Sequence, residues 1–285
     1  MSHFKLTRRR FLQLAGSAAL AGAAGLGYGG LLERSWVDVE EKTFSLPRLA
    51  ERLSGFRIAQ LSDIHLSRFT AVELLMAAVT RVNELRPDIV VLTGDYVGHE
   101  ARFSAGLIEP LRMLEPPAYA VYGNHDLWTD RDAVGAAVAE TPVTLLVNQS
   151  REAAPGLMIA GLDDAWSGHP RPHLALAGSP SDYTNLLLCH EPDYFDTIRR
   201  EKLPVALQLS GHSHGGQVRI PSTRPDGNGL ATRAPLLPHM ATTYPIGHYR
   251  VGSFQLYTNR GLGVWPLPFR FNCRPEITLL TLRPD

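Results

Sequence analysis

Residue types that bind metals recur in five short groups along the chain, and each group directly follows a short apolar run. The groups are Asp63-Ile64-His65, Gly94-Asp95, Gly123-Asn124-His125-Asp126, His190 and Gly211-His212-Ser213-His214. A lone Asp-x-His or His-x-His pair often arises by chance, and a lone buried histidine is usually a hydrogen-bonded core residue. Five such groups in order, with glycine before Asp95, Asn124 and His212, are much harder to obtain by coincidence. The pattern therefore predicts one shared site.

The donor types in these groups indicate which ions the site would hold. Mixed imidazole, carboxylate and amide donors suit Mn²⁺, Fe²⁺ or Zn²⁺ better than Ca²⁺, which prefers oxygen alone. Asp95 stands alone at the end of its apolar run, and a carboxylate is able to bridge two cations. Two ions roughly 3.5–4 Å apart lower the pKa of a bridging water and hold both the attacking and the leaving oxygen of a phosphoryl displacement. Such a site needs no nucleophilic side chain.

Each group follows a predicted strand of an α/β architecture. Strands are predicted at 57–61, 89–92 and 119–122, separated by a helix at 71–85 and a weaker helical segment at 104–114. Further strand-length apolar runs lie at 143–147, 157–160, 186–189, 205–209, 253–257 and 277–282. Strand ends in open α/β sheets meet at one edge, so the loops that leave them converge. We therefore expect one domain over residues 36–285, with the five groups close together.

Composition excludes several other classes of protein. The chain has 285 residues, of which 44% are apolar and 20% charged, values typical of a folded globular protein. Its 28 basic and 28 acidic side chains cancel, so no charge pattern points to nucleic acid as a partner. Two cysteines, Cys189 and Cys273, show no zinc spacing, and we interpret them as buried free thiols.

Residues 1–35 have the layout of a targeting signal. Arg8 and Arg9, followed by Phe11 and Leu12, resemble the twin-arginine export motif, and residues 14–32 carry no charge. The six glycines of this stretch make a stable span less favourable, although its length suffices to cross about 30 Å of hydrocarbon. The segment predicts the twin-arginine translocase as a partner and places the mature domain at the extracytoplasmic face. Removal of the signal and its retention as a membrane anchor both stay open.

The order of the five groups resembles the calcineurin-like metallophosphoesterases, and the resemblance extends from about residue 57 to residue 218. It implies a calcineurin-like four-layer α/β sandwich, in which two β-sheets pack face to face with flanking helices. It also implies two divalent metal ions, Mn, Fe or Zn, at the sheet edge. Asp63, His65 and His214 would bind the first ion, Asn124, His190 and His212 the second, and Asp95 both. His125 would lie beside the substrate as a charge stabiliser or proton donor, with Asp126 orienting it.

Features outside the core motifs resemble one branch of this family, the exported or membrane-associated bacterial phosphoesterases, which includes relatives of UDP-diacylglucosamine pyrophosphatases. These features are the N-terminal segment, the run that begins His190-Glu191-Pro192-Asp193, and the Arg260-Gly261-Leu262-Gly263 segment. The branch implies hydrolysis of a phosphodiester or pyrophosphate bond by a hydroxide that bridges the two ions, and it suggests a lipid-linked or envelope-linked substrate. Glu191 and Asp193 are equally consistent with helix caps and with support of the ligands. A structural ion pair is favoured over a phosphate contact for Arg260.

The alternative functions explain less of the sequence. A non-catalytic, metal-dependent binding module at the membrane surface would be expected to lose a ligand or His125, and all are present. A membrane-tethered scaffold would leave the ordered histidine groups unexplained.

The stretch 221–248 is rich in Pro and Gly and has little periodicity, which predicts a long loop next to the last ligand group. We expect this loop to select the substrate, with packing over the sheet edge as the alternative. Its apolar residues match neither a strand nor a helix period, which makes them poor candidates for a core face: Leu230, Leu236, Leu237, Met240 and Tyr244.

Overall fold

The strands of residues 7–222 and 232–285, the part of the chain that the computed structural model describes, form two six-stranded sheets and a two-stranded ribbon. The strands are β1 Asp38–Leu46, β2 Arg57–Leu61, β3 Ile89–Leu92, β4 Ala118–Ala120, β5 Thr144–Leu145, β6 Gln149–Ala154, β7 Leu157–Gly161, β8 Thr184–Leu188, β9 Leu207–Ser210, β10 Ile220–Pro221, β11 Thr232–Arg233, β12 Gly247–Val251, β13 Phe254–Thr258 and β14 Glu276–Pro284. The first sheet has the order β1-β14-β2-β3-β4-β5, and the second has the order β12-β13-β9-β8-β7-β6.

The α-helices of the described residues flank these sheets, apart from the first. They are α1 Arg8–Gly27, α2 Val72–Leu85, α3 Ile108–Arg112, α4 Asn124–Ala139, α5 Pro172–Leu176 and α6 Phe195–Arg200. In α2, Leu75, Val79 and Val82 recur at helical spacing and are fully buried. The helix ends at Arg86, which is left-handed (φ 49°) and precedes a proline.

Three apolar layers hold the sheets and helices together. In β3, Ile89 and Val91 face the core between the two sheets, and Val90 and Leu92 face the layer under α2 and α4. A third cluster lies between the second sheet and α5 and α6. A strand that is covered on both faces must be apolar throughout, which explains the unbroken run of β3. The predicted four-layer sandwich, with two sheets face to face and flanking helices, is confirmed.

Strand ends in both sheets meet where the chemistry-bearing groups were predicted. β2, β3 and β4 are parallel neighbours in the first sheet, and β8 and β9 are parallel neighbours in the second. Parallel neighbours present their carboxyl ends at the same edge. The groups that follow these five strands therefore converge on one place.

Most predicted elements are present, and the elements that were not predicted are three strands of the sandwich, the β10–β11 ribbon and the helices α4, α5 and α6. The strands predicted at 57–61 and 89–92 have those bounds, the helix predicted at 71–85 begins at Val72, and the segment predicted at 104–114 is a 3₁₀ helix, Ala101–Leu107, followed by α3. The sequence analysis missed β1, β6 and β12. All three are outer strands of their sheets. An outer strand carries polar and charged side chains that obscure its apolar alternation.

The N-terminal helix projects from the domain, whereas the turns that follow it are packed against the domain. The segment Arg8–Ser35 is long and apolar enough to cross a membrane, and its most apolar window has no residue buried in the protein. After α1, the backbone carbonyl of Gly29 accepts a hydrogen bond from Arg270 N (3.1 Å). The buried Glu33 accepts one from Cys273 N (2.6 Å) through Oε1. A Cβ atom on Gly29 would lie 2.4 Å from the carbonyl oxygen of Arg270, so this close approach requires glycine.

We expect Glu33→Ala to destabilise the domain, because it leaves the buried N–H group of Cys273 without its acceptor. The free energy of unfolding should fall by about 1–3 kcal/mol. Chemical denaturation of the detergent-solubilised full chain, followed by tryptophan fluorescence, measures this change. The matched control is Glu41→Ala on β1, whose side chain is exposed. Equal stability of the two variants would contradict a structural role for Glu33.

Candidate metal centre

The predicted ligands come together in two adjacent clusters at the carboxyl ends of the strands. Asp63, His65 and His214 place their donor atoms within 4.8 Å of one another, and Asp95, His190 and His212 do the same. His65 and Asp95 also form a third group with His125. These two clusters have the membership that the sequence analysis assigned to the two ions, except that Asn124, an amide, stands outside them.

The carboxylate of Asp95 lies between the two clusters. Its Oδ2 is 3.3 Å from His65 Nε2 and 3.1 Å from His190 Nε2. Its Oδ1 accepts a hydrogen bond from the backbone N–H of His125 (2.8 Å). One carboxylate oxygen thus reaches a histidine of each cluster, as the predicted bridging role requires.

Backbone carbonyls determine which nitrogen of two histidine rings is available. His190 Nδ1 lies 2.6 Å from Thr93 O, and His212 Nε2 lies 2.7 Å from His239 O. A carbonyl can only accept, so these ring nitrogens donate, and the lone pairs are on His190 Nε2 and His212 Nδ1. The two lone-pair nitrogens are 3.2 Å apart. This is a donor arrangement for a cation.

Several buried polar atoms in the centre have no hydrogen-bond partner within the described chain. They are Asn124 Oδ1, His65 Nδ1 and His214 Nδ1. Asn124 is the first residue of α4 and lines the same cavity as Asp95 and His212. An unpartnered buried oxygen is costly unless it coordinates an ion or binds a water. The position of Asn124 Oδ1 agrees with the predicted ligand role of Asn124, which stays a prediction.

The charge balance of the centre also fits divalent cations. Asp63, Asp95 and Asp126 are at most 1% exposed, and across residues 7–222 and 232–285 no Lys or Arg forms an ion pair with them. Burial raises the pKa of Asp63 to about 6 and that of Asp126 to about 8. Buried carboxylates without a lysine or arginine partner are unfavourable, and bound metal ions would supply positive charge beside them.

Two of the histidines are held in the neutral form that ligation needs. Burial lowers the pKa of His65 to about 4 and that of His212 to about 3, so both rings are neutral at pH 7. Burial acts in the same direction on His190, but the nearby carboxylates, Asp95 foremost and Asp63 and Glu191 after it, together outweigh burial and raise the pKa of His190. A proton on His190 and a bound cation are therefore alternative sources of positive charge beside Asp95. Ion binding must displace that proton.

Backbone strain is concentrated in the ligand loops. Five of the seven predicted ligands have a positive φ, a backbone conformation that residues other than glycine rarely adopt. These residues are Asp63 (49°), His65 (47°), Asp95 (59°), His212 (68°) and His214 (51°). Such strain is typical of functional sites and persists where the surroundings enforce it. Gly94 shows this crowding, because a Cβ atom there would lie 2.6 Å from Gly123 N and 2.8 Å from His190 Nδ1.

His125 lies beside the clusters, at the wall of the cavity. Its Nδ1 lies 3.0 Å from Gly98 O, so Nδ1 donates and Nε2 is the nitrogen that can exchange a proton with a substrate. Its ring centroid is 4.9 Å from those of Trp128 and Trp265. This placement agrees with the predicted position beside the substrate.

Asp126 does not orient the ring of His125, and that prediction was wrong. Its Oδ2 accepts hydrogen bonds from the backbone N–H groups of Asp95 (3.0 Å) and Gly123 (2.9 Å), and its Oδ1 accepts one from Tyr96 N (2.8 Å). As the third residue of α4, it caps the helix and at the same time holds the Asp95 loop. Asp126 therefore positions the bridging carboxylate, and the carbonyl of Gly98 orients His125.

A cavity of about 380 Å³ opens over the metal centre. Its walls include three tryptophans, Trp128, Trp166 and Trp265, which the sequence analysis missed. Trp128 donates its indole N–H to Ser167 Oγ (2.7 Å) and packs edge-on against Trp166 (4.8 Å). Tryptophan is usually a core residue, so its sequence position alone carried no signal. The nearest hint was proximity in the sequence, because Trp128 follows the predicted site residue Asp126 by two positions in the same helix.

The predicted loop contributes to the same cavity. Leu236 and Leu237 line it, as do the prolines on either side of them. Tyr244 instead is buried and packs against Phe195 and Tyr249, so its exclusion from the core was wrong. The tertiary contact with α6 could not be read from its local spacing. Leu230 lies outside the described residues.

Other candidate residues prove to be structural. Arg260 forms ion pairs with the buried Glu276 (2.7 Å) and the half-buried Glu40 (3.0 Å), which confirms the structural interpretation. Glu191 accepts a hydrogen bond from Ala165 N (2.9 Å), and Asp193 accepts several from the backbone of residues 242–244. Both acidic residues hold loops beside the centre. Cys189 and Cys273 are buried free thiols, as predicted.

Comparisons with known proteins agree with this geometry. A family model described as calcineurin-like phosphoesterase matches residues 56–216. The metallophosphoesterase YkuE of Bacillus subtilis is 35% identical over 296 aligned residues, which cover 98% of each chain. Phosphodiesterase YaeI of Escherichia coli is 33% identical, with 97% of this chain and 99% of the relative covered. UDP-2,3-diacylglucosamine pyrophosphatase LpxG of Chlamydia trachomatis is 27% identical, with 87% and 90% covered.

We expect Asp95→Asn to lower both the metal content and the rate of phosphodiester hydrolysis, because the amide lacks the negative charge shared by the two clusters. His212→Ala should lower both as well. Elemental analysis of purified protein, together with hydrolysis of bis(p-nitrophenyl) phosphate, measures the two effects. Asp182→Asn, at an exposed position outside the centre, is the control. Full metal content and activity in Asp95→Asn would contradict a shared carboxylate.

Proposed function

The chain belongs to the calcineurin-like phosphoesterase family, and we propose that it is a two-metal enzyme that hydrolyses a phosphodiester or pyrophosphate bond. The observation that supports the proposal most is the position of Asp95, whose Oδ2 lies within 3.3 Å of a histidine in each of the two ligand clusters. A single-ion site would not need one carboxylate between two sets of donors. Relatives named phosphodiesterase and pyrophosphatase support the same reaction class.

Different residues of the centre have different roles in the proposed reaction. Bound divalent ions would lower the pKa of an attacking water and offset the charge that develops on the phosphoryl oxygens. Asp63, His65 and His214 would hold one ion and Asn124, His190 and His212 the other, with Asp95 between them. Asp126 keeps Asp95 in place through the backbone N–H groups of its loop. The new bond forms between the water oxygen and phosphorus while the ester P–O bond breaks.

The leaving oxygen requires a proton unless it is a stable anion, and His125 is placed to supply it. Its Nδ1 hydrogen bond to Gly98 O fixes the ring and leaves Nε2 for the substrate. The ring lines the cavity beside Asp95 and Asn124. We therefore assign His125 as the general acid of the proposed reaction.

We expect His125→Ala to keep its metal ions but to lose roughly 10²–10⁴-fold in turnover. A diester with an alkyl leaving group should lose more than bis(p-nitrophenyl) phosphate, because nitrophenolate departs without a proton. Steady-state kinetics on both substrates and elemental analysis test this. His173→Ala, an exposed histidine on α5, is the control. Equal losses on the two substrates would favour charge stabilisation over proton donation, and no loss would leave a metal-binding module as the function.

We also propose that α1 keeps the domain at the outer face of a membrane. Its 20 residues extend about 30 Å, which matches the hydrocarbon thickness. Arg8, Arg9 and Arg10 lie at its N-terminal end, which the positive-inside rule places in the cytoplasm. The packed turns at Gly29 and Glu33 support retention of the helix, because removal of the segment up to Ser35 would also remove part of the folded domain. Export of the folded protein would allow metal loading in the cytoplasm.

Replacement of both Arg8 and Arg9 by lysine should retain the protein in the cytoplasm, folded and active, because the paired arginines are proposed to be an address and not part of the core. Cell fractionation combined with a phosphodiesterase assay measures this. Arg34→Lys, which leaves the motif intact, is the control. Undiminished export of the double variant would assign the chain to another pathway.

A further inference from the structure

The mouth of the cavity is surrounded by exposed and half-buried apolar side chains, which we call the apolar rim. The apolar rim consists of Trp128, Trp166, Leu236, Leu237, Trp265 and Leu267. Leu236 is 76% exposed and Leu267 56% exposed. Single exposed apolar residues are ordinary, but a contiguous group around a cavity marks a binding surface.

The apolar rim is continuous with the base of the N-terminal helix. Leu267 lies two residues before Phe269, so their Cα atoms are at most roughly 7 Å apart. A Cβ atom on Gly29 would lie 2.4 Å from the ring of Phe269, and the ring of Tyr28 packs edge-on against Phe271. On the helix side, Leu31 and Leu32 are 73% and 61% exposed. A membrane that contains α1 would therefore bring its surface next to Leu267.

The cavity offers little positive charge beyond the metal centre. None of the described residues that line it is a lysine or an arginine. Two divalent ions would carry four positive charges, of which the carboxylates of Asp63 and Asp95 offset two. The remainder suits one phosphoryl group, whose charge increases during attack. A second ionised phosphate would find no lysine or arginine among the described residues that line the cavity, and an unpaired charge in such a place is unfavourable.

We propose that the substrate is a membrane-borne phosphodiester with a single phosphoryl group, whose apolar tail lies along the apolar rim. This inference rests on the proposed hydrolytic function and narrows it to a diester in place of a pyrophosphate. Water adds to phosphorus and one ester P–O bond breaks, which gives a phosphomonoester and an alcohol that receives the proton. No further reactant is required.

Two lipids with the same acyl chains and different phosphate counts test this proposal. Phosphatidylglycerol contains one phosphoryl group, and CDP-diacylglycerol contains a pyrophosphate. Metal-loaded full-length protein is assayed on each lipid in dodecyl maltoside micelles, with products identified by mass spectrometry, and on bis(p-nitrophenyl) phosphate in parallel. We expect kcat/KM to be at least about tenfold higher for phosphatidylglycerol than for CDP-diacylglycerol. Equal or faster hydrolysis of CDP-diacylglycerol would overturn the single-phosphoryl assignment.

Variants of the apolar rim distinguish the contribution of the lipid's apolar tail to hydrolysis from the contribution of its phosphate charge. Leu267→Asp should reduce hydrolysis of phosphatidylglycerol about tenfold more than hydrolysis of bis(p-nitrophenyl) phosphate. Leu236→Arg should reduce the ratio of kcat/KM for phosphatidylglycerol to kcat/KM for CDP-diacylglycerol, because the guanidinium can pair with a second phosphate. Leu174→Asp, at an exposed position on α5 outside the cavity, is the control. Unfolding midpoints are compared throughout, and Leu267→Ala replaces Leu267→Asp if the latter does not fold.

The outcomes distinguish this inference from the function on which it rests. Hydrolysis of bis(p-nitrophenyl) phosphate without hydrolysis of either lipid would overturn the inference and leave the proposed function in place. Equal losses on lipid and nitrophenyl substrates in Leu267→Asp would show that the apolar rim does not bind the tail. Absence of activity on all three substrates, in protein that carries its metal ions, would overturn the proposed function itself.

Discussion

The carboxylate of Asp95, buried between two groups of histidines, is the constraint on which the arrangement of the centre depends. It is 1% exposed and contacts both His65 and His190 through one oxygen. Such a charge is stable only if its surroundings are fixed and positive. Asp126 fixes the loop through backbone N–H groups, and the absence of a side chain at Gly94 lets the ends of the strands approach closely. The strained conformations of five ligands follow from the same crowding.

Burial of apolar side chains in the sandwich offsets the unfavourable free energy of the strained ligand loops. The two sheets bury an apolar core between them, and each sheet buries a further apolar layer on its outer face. The favourable free energy of burying these layers far exceeds the unfavourable free energy of a few strained residues. The parallel neighbours β2, β3 and β4 in one sheet and β8 and β9 in the other end at the same edge. Rigid strands thus support loops that would not adopt these conformations by themselves.

The buried guanidinium of Arg270 links the centre to the N-terminal segment. It donates to the carbonyls of Arg260, Gly261, Gly263 and Cys273, and the N–H of Gly263 in turn donates to Asp63 O. The backbone N–H of Arg270 donates to Gly29 O. A short path of hydrogen bonds therefore runs from the first metal-ligand loop to the base of α1. The position of the cavity relative to the base of α1 is consequently fixed by packing and hydrogen bonds of the folded domain.

The sequence by itself indicated an α/β fold and the metal-binding residue types that follow its strands, because strand-length apolar runs and the residues that end them are local signals. The four-layer sandwich and the division of the predicted ligands between two ions came from the family resemblance. It did not show the outer strands β1, β6 and β12, whose apolar alternation is obscured by polar side chains facing water. The role of Asp126 also came from the tertiary structure, since its partners are backbone groups some 30 residues away in the sequence. The apolar rim combines a residue of α4 with residues from three separate loops, and exposure is not encoded in residue type. Only the packed structure decides which apolar side chains stay at the surface and what they surround.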